Sequence, residues 1–156
     1  MEMNIENMPI LRPIPMNTKN MSWWKKIKVW ANYNRIWKLE EDWTYTDANN
    51  ITMFIHRGFE FNAASVPKIF HNLMNPVGTA LIASIIHDYG YQYGGLNIIL
   101  TNGDLVFIEM DQKSLDTIFK NIVIETTGMK TISHIAHSAL WSFGFVAWNN
   151  SRKKTS

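Results

Sequence analysis

The 156-residue sequence predicts a single α+β domain: a mainly helical core of three helices with two β-hairpins. Three observations lead there. Two pairs of β-rich runs flank polar turns, Asp47-Ala48-Asn49-Asn50 and Asn102-Gly103. Three longer segments, about 76–93, 111–127 and 130–148, carry apolar residues at helical spacing or in bulk. Finally, 46% hydrophobic content with no cysteine supplies one core held by packing rather than by disulfides.

Residues 1–20 are rich in Asn and Met, and Pro9, Pro13 and Pro15 favour an extended arm over a helix. The arm has Glu2 and Glu6 and no apolar run of signal-peptide length, so Sec export is not expected. The domain proper spans 21–150. It opens with "MSWWKKIKVWANYNRIWK", where Trp23, Ile27, Trp30 and Trp37 lie near one helical stripe among Lys25, Lys26, Lys28, Arg35 and Lys38. One reading is a basic aromatic face that meets an anionic membrane or envelope through 21–38. The other is a core-facing helix or pair of strands, its charge balanced by Glu40, Glu41 and Asp42.

The first hairpin follows, its second strand running from Ile51 to His56 and stopped by Gly58. After the loop "NAASVPK", Asn75 caps and Pro76 starts a helix that ends at Gly94-Gly95. The second hairpin turns at Asn102-Gly103. A helix then runs from near Asp111 to Gly128 with Leu115, Ile118, Phe119 and Ile122 as its buried stripe. "TISHIAHSALWSFGFVAWNN" is long enough to cross a bilayer, yet its His, Ser and Asn content equally suits a buried core helix. Residues 151–156 form a basic tail.

A formal charge of +2, with 18% charged residues, gives no strong field for nucleic acid, and no nucleic-acid partner is expected. Five of the seven tryptophans fall between Trp23 and Trp43, which suggests a surface covered by the chain itself or by a neighbouring subunit. His134 and His137, three residues apart, suit either metal ligation or polar positions in a packed helix, and His56 and His71 are less specific still.

The pair His87-Asp88 follows the apolar run Ala83-Ser84-Ile85-Ile86. On a helix His87 shares a face with Ala80, Ala83, Ser84 and Tyr91, and the small residues admit a second helix. Asp88 points about 100° away, so the two do not pair but border one cavity. Histidine with a partner carboxylate takes protons, and a neighbouring Asp suits a hard cation. The partner acid is expected to be Asp116, at the edge of the next helix's apolar stripe, with Glu109 and Asp111 as alternatives. The competing reading is a polar helix end and a solvated Asp116.

"GFEFNAASVPKIF", "ALIASIIHDYGY" and "QKSLDTIF" in this order resemble family 1353 of the domains of unknown function, found in bacteriophages and prophages. Gly58, Phe59, Ala64, Ser65, Val66, Pro67, His87, Asp88, Tyr91, Asp116 and Phe119 match its pattern. The chain departs from it where the family's Thr-Asp is Phe61-Asn62, its Phe is Ala63 and its Arg is Lys68; Asn62 offers an amide oxygen without charge. "HDYGYQYG" is also similar to the active-site helix of phospholipases A2. That resemblance implies His87 as base through a water, Asp88 as ligand of calcium or another divalent cation, Asp116 as the orienting acid, and Tyr91 as its hydrogen-bond partner; Asn62 joins Asp88 as a metal ligand only if the Asp that family 1353 carries at that position binds metal. The glycine-rich calcium loop and the disulfides of those enzymes are missing.

The resemblances imply a bacteriophage-encoded, virion-associated protein near the tail, assembled in the host cytoplasm among other virion proteins, with a His-Asp hydrolase-like site acting on envelope esters or amides. The alternatives are a structural virion subunit or adaptor with a non-catalytic His-Asp network, and an intracellular anti-defence protein.

Overall fold

The computed structural model describes residues 8–15, 19–32, 36–61 and 80–128. Within them the chain forms one α+β body with three helices and two antiparallel sheets. The strands are β1 (Leu11–Pro13), β2 (Trp37–Leu39), β3 (Trp43–Thr46), β4 (Thr52–Ile55), β5 (Glu60–Phe61), β6 (Gly95–Ile99) and β7 (Leu105–Glu109); the helices are α1 (Trp23–Asn32), α2 (Ala80–Tyr93) and α3 (Gln112–Thr127). The expectation of a mainly helical core is corrected: sheet content is substantial. β1, β2 and β5 have only two or three residues each, too few for alternation to register in sequence. The helix expected at 130–148 and the tail at 151–156 lie outside the described residues.

The larger sheet has the order β3-β4-β6-β7 and contains both expected hairpins, joined by antiparallel β4–β6 pairing. Each hairpin closes through three loop residues whose last is left-handed, Asn50 at φ 60° and Gly103 at φ 88°, which matches the strands' twist. In the first, the Asp47 carboxylate accepts the N–H groups of Asn49 and Ile51, both at 2.9 Å, a local bond that specifies the turn. Register puts Trp43, Met53, Ile55, Leu96 and Ile98, all buried, on one face. The smaller sheet, β1-β2-β5, ties the proline-rich arm to the domain, with Arg12 at 2.9 Å from Glu40.

In α1 the core-facing reading fails over its first half: Trp23, Trp24 and Ile27 are exposed. The two indoles meet edge-on at 4.5 Å.

Helix α3 begins with Asp111, whose carboxylate accepts the Ser114 N–H at 2.8 Å, and stops at left-handed Gly128 (φ 68°), whose N–H bonds the Ile124 carbonyl. Helix α2 stops at Gly94 (φ 77°), which turns the chain straight into β6. The two helices pack closely because Ala83, Ser84 and Gly90 give α2 a shallow surface; a Cβ on Gly90 would collide with the Leu115 side chain. At the other side of α2, Tyr89 and Tyr93 join Phe59 and His56 in an aromatic cluster that anchors the helix to β4 and β5. The α2–α3 contact and the register of α2 together set the candidate site.

Candidate functional site

His87 sits midway along α2 and is 1% exposed; Asp116, one turn into α3, is also 1% exposed. Their side chains meet: His87 Nε2 and Asp116 Oδ1 are 2.9 Å apart. Tyr91, one turn after His87, donates its hydroxyl to the same oxygen at 2.6 Å. The i, i+4 spacing brings the two α2 rings together at a 34° tilt, with centroids 4.0 Å apart, while Phe119 closes the imidazole's flank edge-on at 5.4 Å. Ile86, Leu115 and Ile122, all buried, belong to the surrounding core. Sequence spacing already places His87 and Tyr91 on one face. The contribution of Phe119 as a ring wall is visible in sequence only as part of α3's apolar stripe.

The expectation that His87 and Asp88 do not pair needs amendment. His87 Nδ1 lies 3.9 Å from Asp88 Oδ1, beyond hydrogen-bond length but close enough for charge attraction in a buried setting. The imidazole therefore has a carboxylate on each side. Burial alone pushes its pKa down from 6.5, but the bond to Asp116 and the charges of Asp88 and Asp116 outweigh it, so the net shift is upward. The ring is held toward its protonated form. Burial and the Asp116 carboxylate likewise push the Tyr91 phenol up, with Gln112 acting weakly the other way, so Tyr91 stays a neutral donor. Asp116 Oδ2 is buried with no hydrogen-bond partner, an uncommon condition for a carboxylate oxygen and a costly one.

Asp88, with its side chain 11% exposed, is the member of the group nearest solvent. Among the described residues no three His, Asp or Glu side chains converge to hold a metal ion, so Asp88 alone does not form a cation site there. Asn62, the other expected ligand, lies outside the described residues, as do His71, His134 and His137. The alternative partner acids serve elsewhere: Glu109 is exposed on β7, and Asp111 is the α3 cap, its carboxyl held below the usual range by the Ser114 bonds. His56 belongs to the aromatic cluster, with Nδ1 at 3.0 Å from the Arg57 carbonyl.

Chemically, the group is an imidazole whose Nε2 is fixed by a carboxylate and whose Nδ1 faces the partly exposed side. That geometry selects the tautomer and aims one nitrogen. A second carboxylate beside Nδ1 favours retention of the proton.

No helix among the described residues is long and apolar enough to cross a membrane. Neither curated proteins nor solved structures give a match to this chain. A family model described as "Protein of unknown function (DUF1353)" matches residues 37–140, a span that holds His87, Asp88, Tyr91 and Asp116. With two thirds of its length inside that match, the chain belongs to the DUF1353 family.

Proposed function

We propose that this is a phage-encoded, virion-associated protein whose His87–Asp116–Tyr91 group is the centre of a hydrolase-like site acting on esters or amides of the host envelope. The observation that supports this most is the 2.9 Å His87–Asp116 bond buried in the helix interface among Ile86, Leu115, Phe119 and Ile122. A buried ion pair with an orphaned carboxylate oxygen is a poor way to stabilise a core, since well-packed apolar residues of similar volume do as well or better. Retaining it is better explained by a task at the site.

In this reading Asp116 and Tyr91 hold the ring, and Nδ1 takes the proton of a water that attacks the substrate carbonyl. Because the ring's pKa lies above 6.5, its basic form fills in as pH rises, and the rate follows. A calcium ion or another divalent cation at Asp88 would take its other donors from outside the described residues, so the proton transfer rests on His87 alone. Contact with the envelope falls to α1, where exposed Trp23 and Trp24 stand beside Lys25 and Lys26.

The structural reading, a virion subunit or adaptor in which the same group only clamps α2 to α3, is favoured by one specific observation: His87 is almost wholly covered. Hydrolysis separates the two. Purified full-length protein is incubated with phospholipid vesicles and with envelope peptides, with and without calcium, beside a His87→Ala variant checked for folding by circular dichroism. The hydrolase reading expects product from the wild type and a loss of about 10²–10⁴-fold in the variant. Equal rates, or none from either, would discard it in favour of the clamp. Mass spectrometry of purified particles tests the virion assignment separately.

A further inference from the structure

Among the described residues β7 ends the larger sheet, and it is exposed along its whole length. Leu105, Val106, Phe107 and Ile108 each keep between 40% and 52% of their surface open. The hydrogen-bond phase is set by its neighbours: Leu100 N–H donates to the Asp104 carbonyl and Met110 N–H to the Gly94 carbonyl. In an antiparallel ladder such pairs alternate, so Val106 and Ile108 bond to β6 while Leu105, Phe107 and Glu109 turn their N–H and C=O groups outward. Exposed edges are ordinarily guarded by Lys, Pro or a bulge. β7 has none of these and is regularly paired to β6 over all five residues.

We infer that β7 pairs antiparallel with β7 of a second copy, about a twofold axis at Phe107, to make one eight-stranded sheet. The backbone edge calls for a strand, and about that axis the central Val106, Phe107 and Ile108 all meet apolar partners. Each outward-bonding residue meets another: Phe107 opposes Phe107 of the copy and Leu105 opposes its Glu109. Val106 falls opposite Ile108 of the copy, on the face that already carries buried Leu96 and Ile98, so the apolar layer continues across the junction. Charge selects the same arrangement. A parallel in-register pairing would set Glu109 against Glu109, whereas the antiparallel one keeps the two carboxylates about 13 Å apart along the strand. A closed twofold contact of this kind also uses up the β7 edge of both copies, so pairing through β7 stops at two.

The test is sedimentation of the full-length protein over a concentration series, with amide exchange read at both ends of it. The mass should climb from one chain of 18.1 kDa toward twice that. The amides of Leu105, Phe107 and Glu109 should slow by about tenfold or more at the high end. Phe107→Pro removes an N–H that β6 does not use, and Phe107→Lys sets two ammonium groups face to face; each should hold the protein at single-chain mass. Two results would overturn the inference: a single chain at every concentration, which would leave the edge to another protein or to none, or an association that survives both substitutions with those three amides still exchanging freely.

Discussion

The α2–α3 interface and strand β7 break the usual partition of side chains in opposite directions. Between the helices an imidazole and a carboxylate are almost fully buried, whereas on β7 four consecutive apolar residues stand open to solvent. The interior group is tolerable because it is partnered: Asp116 Oδ1 takes bonds from both His87 and Tyr91, although Asp116 Oδ2 is left without one. Among the described residues the strand's neighbours within the sheet lie on one side only. Polar groups inside point to a task or a specific clamp; apolar groups outside point to a missing surface. The first region should be sensitive to single changes in the isolated chain, the second nearly indifferent to them.

The largest expected effect is loss of the imidazole. His87→Ala leaves the Asp116 carboxylate buried beside a cavity, and urea unfolding should show a loss of about 3–5 kcal/mol. A loss below about 1 kcal/mol would mean that solvent reaches the pair more easily than its burial implies. Tyr91→Phe removes only the hydroxyl bond to Asp116 and should cost about 1.5–3 kcal/mol by the same measurement.

pH sharpens the comparison further. His87 has its folded pKa raised above 6.5, so the stability it contributes is fully present below that value and is lost as pH climbs through the folded pKa. Unfolding curves between neutral and alkaline pH should fall for the wild type, by at most about 1.4 kcal/mol per pH unit from this group, and run flatter for His87→Ala. A wild-type curve that rises over that window would reverse the assignment of the proton.

The smallest effect belongs to β7. Phe107→Lys should change the stability of the single chain by no more than about 0.5 kcal/mol while altering its association. A large loss of single-chain stability would show Phe107 to be core rather than surface; its ring does approach Gly95, where an added Cβ would lie 2.7 Å from the tip.

Much of this architecture is legible in local pattern. Both hairpins follow from their turn residues, with Asn50 and Gly103 left-handed where the turns require it. The ends of α2 and α3 follow from Gly94, Asp111 and Gly128. The pairing of His87 with Asp116 rests on spacing that places the histidine on a small-residue face and the acid beside an apolar stripe. Three features were missed or left undecided by sequence reading. The sheet content was underestimated, because β1, β2 and β5 are defined by partners rather than by period. The Asp88 side chain approaches Nδ1 despite the 100° offset of adjacent helical residues, because the ring extends far enough to span it. Trp23 and Trp24 face outward, although a cluster of indoles reads equally well as core.

Local pattern sets where the chain turns, where two of its helices stop, and which residues share a helical face, because turns, caps and periodicity are governed by neighbours within a few residues. Packing between distant segments sets that β4 joins β6, that the Asp116 carboxylate is sealed against the imidazole, and that β7 is an edge among the described residues. Those outcomes depend on which surfaces meet across 29 or more residues of chain, where burial and partner geometry rather than local preference set the free energy.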